Sequence, residues 1–115
     1  MPLCRGSGSN DPVVAGSTPA GPTKLYAVAR LDLDVGLRTA QVGHALIEWA
    51  CTHGRPPDNL VVLAVDDEPT LLGLANRLAP LGPVVFREPD LGGEATAIAV
   101  GPAARRLLSS IPLLK

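Results

Sequence analysis

Several features that usually announce a function are missing from this chain. It carries no excess of positive charge: 10 Lys and Arg stand against 11 Asp and Glu, for a formal net charge of −1. Acids and bases are interspersed, so the basic footprint of a strong nucleic-acid binder is absent and any RNA contact has to be local. Its two cysteines, Cys4 and Cys51, make no disulfide framework. They fit a reducing cytoplasm, with Cys51 expected as a buried small hydrophobe. No apolar run approaches membrane-spanning length. Val13, Val14 and Ala15, preceded only by Arg5, are too short a run for a secretory signal. There is no internal repeat, and no Gly-rich phosphate loop of the G-x-G-x-x-G or P-loop kind. His44, Cys51 and His53 lack zinc-ligand spacing, since i and i+7 on one helix lie roughly 10 Å apart. Ser109 and Ser110 lack a nucleophile elbow, which removes a serine-hydrolase reading.

What is present is one domain at most within 115 residues. Residues 1–23 are rich in Gly, Ser, Pro, Ala and Thr without hydrophobic period, and are expected to be a disordered tail. Residues 24–115 are long enough for one modest core, burying on the order of two-thirds of their surface.

The stretch Gly36 to Trp49 has helical spacing with two stripes. Val42, Ala45, Leu46 and Trp49 form the expected buried face. Gln41, His44 and Glu48, with Leu37 a turn earlier, line the neighbouring edge. Arg38 sits in the first turn, where a long side chain reaches past the helix end. Asp34 is the expected N-cap and Gly54 the expected stop, with Arg55-Pro56-Pro57-Asp58-Asn59 as breaker.

Around this helix the chain alternates. Lys24 to Leu31 reads as a strand apolar on both faces, hence central. Asn59 to Val65 reads as a second strand too continuously apolar to be half exposed. Asp66-Asp67-Glu68 precedes a helix over Thr70 to Leu81, where acids suit the dipole better than they suggest a metal cluster. Val84 to Glu88 and Ala95 to Val100 are further strands, separated by the turn-rich loop Pro89 to Glu94. Gly101-Pro102 opens a short last helix, Ala103 to Ser110, bearing Arg105 and Arg106. The order βαβαββα predicts an α/β domain: a four-stranded mixed, mainly parallel sheet with helices on both faces, the pair over Val84–Val100 being the candidate for antiparallel pairing.

Two segments resemble a known family. Leu25-Tyr26-Ala27-Val28-Ala29-Arg30 followed by Gly36-Leu37-Arg38-Thr39-Ala40-Gln41-Val42-Gly43-His44-Ala45 is similar to the opening strand and helix of type 2 peptidyl-tRNA hydrolases. The run Asp90 to Pro102, an Asp-x-Gly loop leading to a Thr and then Gly-Pro, resembles that family's second signature. The resemblance implies a compact α/β fold, usually dimeric, and hydrolysis of the ester joining a peptide to the 3′ ribose of tRNA without metal or organic cofactor. By position it implies Asp90 as the carboxylate acting on water and Thr96 as a hydroxyl at the reacting carbonyl or ribose. It implies Gln41 and His44 as supporting groups. The chain departs from the pattern at Leu37, where the family carries a Lys, at Arg38, where an apolar residue is usual, and in the shorter loop from Asp90 to Thr96.

Ester hydrolysis at neutral pH needs a positioned water, a base and donors for the developing oxyanion. Asp90 in its Gly-flanked loop offers a carboxylate, with Gly92 and Gly93 leaving backbone room for substrate. The alternative is an ordinary turn aspartate bonding its own backbone. Thr96 is equally a β-branched strand residue. Arg38 at a helix N-terminus suits a phosphate, supplying charge but no base, or is a solvated surface Arg. His44 fits a structural histidine as well as a site residue. Three readings remain: a peptidyl-tRNA hydrolase acting in the cytoplasm, a non-catalytic domain of the same fold that binds RNA or a protein partner, or a small α/β interaction module with no site.

Overall fold

Six consecutive buried residues, Leu25 to Arg30, make β1 (Lys24–Arg30) the strand on which the sheet is built. The computed structural model describes residues 24–54 and 57–114. The expected N-terminal tail with Cys4, and the Arg55-Pro56 part of the breaker, lie outside the described residues.

The elements are β1, α1 (Val35–His53), β2 (Asn59–Val65), α2 (Glu68–Leu78), β3 (Val84–Glu88) and β4 (Glu94–Val100). The sheet order is β2-β1-β4-β3. β1 and β2 run parallel, from Lys24 opposite Asn59 to Arg30 opposite Val65. β4 is antiparallel to β1, with Val28 opposite Ile98, and β3 is antiparallel to β4. The sheet is therefore mixed, with one parallel pairing rather than a parallel majority. The strand over Asn59–Val65 is an edge and not the doubly covered strand its apolar run suggests. Leu60 is 46% exposed, and burial is complete only from Leu63 to Val65.

Alternation along β1 and β4 builds two cores. One face presents Leu25, Ala97 and Ala99 to Ala45 and Trp49 of α1. The small side chains let the helix approach closely and leave room for the indole. The other face presents Val28, Ile98 and Val100 to Leu71, Leu74 and Leu78 of α2. α1 is capped as its sequence predicts, and α2 starts two residues before the expected Thr70, with Asp67 of the acidic run as its N-cap. The Asp34 carboxylate accepts from the Leu37 N–H at 3.2 Å, and Gly54 closes α1 at φ 76°. The Asp67 carboxylate accepts from the backbone N–H and hydroxyl of Thr70.

The C-terminus differs from the expected helix over Ala103–Ser110. A single-turn 3-10 helix (Pro102–Ala104) passes into consecutive turns, with only Ala104 and Leu108 buried there. A segment this short, closed by two serines and Pro112, cannot propagate an α-helix. Its end runs back along β2, where the Ala64 N–H donates to the Pro112 carbonyl and the Leu114 N–H to the Val62 carbonyl. Part of the β2 edge is thereby covered. Cys51 is half-buried rather than fully buried. Among the described residues no helix is long and apolar enough to cross a membrane.

This topology brings the C-terminal ends of β1, β2 and β3 and the start of β4 to one rim of the sheet. The β1–α1, β2–α2 and β3–β4 connections all lie there, which is where open α/β sheets place ligands.

Candidate functional site

The β3–β4 connection is a tight, fully bonded turn. Pro89–Leu91 forms a single 3-10 turn, and Gly92 and Gly93 follow at φ 72° and 82°. Their N–H groups donate to the Pro89 and Glu88 carbonyls at 3.1 and 3.0 Å. A Cβ on either glycine would meet nothing within 4 Å. The glycines are thus required for left-handed backbone, not for room, and their N–H groups are spent within the turn. Asp90 stands exposed at its crest.

Thr96 lies inside β4, 1% exposed. Its hydroxyl donates to Gln41 Oε1 at 2.7 Å, with the Phe86 carbonyl a weaker acceptor at 3.3 Å. One hydroxyl carries one proton, and the shorter contact takes it. Gln41 is itself 2% exposed, so the helix edge expected to be polar turns inward at this point. Since α1 lies across β1, β4 and β3, the row splits: Gln41 enters the sheet face while His44 and Glu48 stay exposed.

From Gln41 the chain of bonds continues to a residue that sequence reasoning missed. Gln41 Nε2 donates to Glu88 Oε1 at 2.9 Å, and the Asp90 N–H donates to Glu88 Oε2 at 3.2 Å. These bonds, led by the Gln41 amide and helped by nearby His44, hold the Glu88 carboxyl below the usual glutamate range. The strand-terminal position of Glu88, directly before Pro-Asp, is a local signal only for a turn cap. Its link to Gln41 spans 47 positions and has no sequence signature.

The other candidates fall in different surroundings. The Arg38 guanidinium folds back on the β1–α1 turn, donating to the carbonyls of Arg30, Leu31 and Leu33 at 3.2, 3.3 and 3.0 Å. It closes that turn instead of reaching outward. His44 is exposed and packs on Phe86, ring centroids 4.6 Å apart. Leu37 is half-buried. Arg87, exposed on β3, donates to the Gly93 carbonyl at 3.1 Å and sets a cation beside the Asp90 turn.

A second polar cluster braces the same rim. Arg30, 5% exposed, makes two bonds to Asp32 at 2.9 and 2.7 Å, one to Glu94 at 2.7 Å and one to the Ala95 carbonyl at 3.0 Å. The Asp32 carboxylate, chiefly, holds the guanidinium pKa above its usual value against the cost of burial, with Glu94 adding to it. Asp32 is correspondingly lowered by its bonds to Arg30. Glu68 of α2 accepts from the Ala95 N–H at 2.9 Å, so the start of β4 is held from both sides.

Two grooves flank α1. One of about 410 Å³ is lined by His44, Ile47, Glu48 and Cys51. The other, about 190 Å³, is lined by Val35, Arg38, Thr39, Val42, Val62 and Leu114. Asp90 lines neither. Among the described residues no group of three or more His, Cys, Asp or Glu is disposed to hold a metal ion.

No family profile and no curated protein sequence matches the chain. Its fold is similar to a solved structure of a protein of unknown function from Agrobacterium tumefaciens. The TM-score is 0.68 at 12% identity, over 83% of this chain and 99% of that one. At that identity the likeness shows the fold: a four-stranded mixed sheet with helices on both faces.

Proposed function

We propose that this protein hydrolyses the ester bond between peptide and tRNA in peptidyl-tRNA. The observation that carries the reading is the 2.7 Å bond from Thr96 to Gln41, which joins the two segments resembling the family's signatures across 55 positions. Asp90, at the end of that bonded chain, is the carboxylate open to solvent. In this reading it takes a proton from water as the oxygen attacks the ester carbonyl carbon. The tetrahedral intermediate then expels the 3′ ribose oxygen, which takes that proton from the Asp90 carboxyl and so regenerates the carboxylate. Since the Gly92 and Gly93 N–H groups are committed to the turn, in this reading the developing charge would be offset by Arg87, which bonds the Gly93 carbonyl. Gln41 and Thr96 hold the turn from beneath, and His44 borders the substrate path. The protein would act in the cytoplasm, as a homodimer if it follows the family it resembles, and without a cofactor.

The test is peptide release from peptidyl-tRNA by wild type and Asp90→Ala in one preparation. A general base is worth about 10²–10⁴-fold, so release should collapse in the variant by that factor. A folded wild type that releases nothing defeats the reading.

A second reading is a non-catalytic domain that binds RNA or a protein partner. Two observations favour it: Thr96 is covered, and Arg38 is folded onto backbone carbonyls. The rim also carries Asp32, Asp34, Asp66, Asp67, Glu88 and Asp90, which repel a polyanion and, within this reading, favour a protein partner over RNA. Leu37→Lys separates the two. A gain in release of about tenfold or more, roughly 1.4 kcal/mol of barrier, marks a site that needs only its cation, and no gain supports binding.

A further inference from the structure

Glu88 is outside both signature segments, yet its two carboxylate oxygens go to two different elements. Oε1 accepts from Gln41 on α1 and Oε2 from the Asp90 N–H in the turn. Its own carbonyl accepts from the Gly93 N–H, so the residue brackets the turn by side chain and backbone together. A carboxylate offers only acceptors. It therefore compels Gln41 to present its Nε2 to Glu88 and its Oε1 to Thr96, and Thr96 must then donate to Gln41. Every proton along Thr96–Gln41–Glu88 points the same way, toward Glu88. The opposite arrangement is available in the same space, because the Phe86 carbonyl lies 3.3 Å from the Thr96 hydroxyl. With Gln41 flipped, Nε2 would donate to Thr96 and the hydroxyl proton would move to Phe86.

We infer that Glu88 is a positioning residue: it sets the direction of this hydrogen-bond chain and clamps the Asp90 turn against α1. The inference rests on the reading of Asp90 as the reacting carboxylate for its catalytic consequence, though the clamp stands on geometry alone. Glu88 does not touch the reacting atoms in this scheme. It acts through Gln41, Thr96 and the Asp90 backbone.

Glu88→Gln tests this without changing shape. The substituted amide keeps an oxygen for the Asp90 N–H and turns its NH₂ toward Gln41, which must flip to accept it. Packing is retained while the direction of the chain reverses. The full-length variant should unfold at nearly the wild-type urea concentration, while the Gln41 side-chain amide resonances move by NMR. Release of peptide should lose about tenfold or more in kcat with KM within about twofold, the pattern of a group that matters in the transition state. The Gln41→Glu/Glu88→Gln double variant restores the Thr96 half of the chain, since a carboxylate at position 41 accepts from Thr96 as Gln41 does, while the bond between positions 41 and 88 stays reversed, and it should recover part of kcat. In Glu88→Ala the Asp90 backbone N–H loses its acceptor, and its hydrogen exchange should quicken by about tenfold or more.

Unmoved Gln41 amide resonances in Glu88→Gln, or unchanged Asp90 exchange in Glu88→Ala, overturn the clamp. A kcat unchanged in Glu88→Gln overturns the positioning role. Wild type that releases no peptide defeats the hydrolase reading instead, and the two NMR measurements still decide the clamp.

Discussion

Thr96 and Gln41 stand on different elements, 55 positions apart, and meet through a 2.7 Å hydrogen bond at a place where both side chains are almost wholly buried. A buried polar group deprived of its partner keeps its desolvation cost, about 1–3 kcal/mol. Thr96→Val and Gln41→Leu should each lower stability by that order. Thr96→Val should be the worse, because in Gln41→Leu the hydroxyl still has the Phe86 carbonyl. The double variant should cost less than the sum of the two by about 1 kcal/mol, measured as a double-mutant cycle in urea.

Arg30 should show a different asymmetry. Removing both carboxylates, in Asp32→Ala/Glu94→Ala, strands a guanidinium that is 5% exposed. Stranding a buried charge costs about 3–5 kcal/mol, and the lower end is expected because the carboxylates are themselves partly in water. Arg30→Met should cost less, since the Asp32 and Glu94 side chains, 40% and 44% exposed, can rehydrate. Equal unfolding midpoints for the two variants would contradict the assignment of the burial cost to Arg30.

The acid limb of stability follows from three lowered carboxyls. Glu88, held down first by Gln41, Asp32 by Arg30, and Asp67 by Thr70 all bind protons more weakly folded than unfolded. The unfolded chain therefore takes up more protons, and stability must rise with pH through this region. Their contribution is complete above the ordinary carboxyl range of about 4 and is lost as pH falls through the lower folded values. Urea midpoints from pH 7 down to pH 3 should fall at the acid end, and less steeply in Glu88→Gln.

Glycines should divide by conformation. Gly43, inside α1 with open space at its Cβ position, gains helix propensity as Ala, and Gly43→Ala should stabilise by about 0.5–1 kcal/mol. Gly92, at φ 72°, gains strain instead, and Gly92→Ala should destabilise by about 1–2 kcal/mol. Thermal or urea unfolding of the pair reads both signs.

Asp90→Ala should separate activity from stability. The side chain is exposed, and changes at such positions usually stay within about 0.5 kcal/mol. Unfolding should therefore match wild type while peptide release is lost. A large fall in unfolding midpoint would mean that Asp90 is a structural turn residue.

The sequence by itself determined what depends on neighbours along the chain. Asp34 and Gly54 bound α1, Asp67 caps α2, and alternation in β1 and β4 apportions side chains between two helix layers. These are local preferences of capping, backbone conformation and period, and they survive folding unchanged. Tertiary structure alone decided which strands are edges, and so why the apolar run of β2 is half exposed at Leu60. It also decided the lateral position of α1 across β1, β4 and β3, which takes Gln41 into the sheet face and leaves His44 outside. Arg38 had two outlets of similar electrostatic appeal, an anion beyond the helix or the carbonyls of the preceding turn. Only the path of residues 30–33 selects the carbonyls. Glu88 belongs to the same class: its caps are short bonds, but the one to α1 exists because two elements distant in sequence are brought within 2.9 Å. A helical or strand period fixes which way a side chain faces on its own element; which partner waits there depends on the packing of the whole sheet.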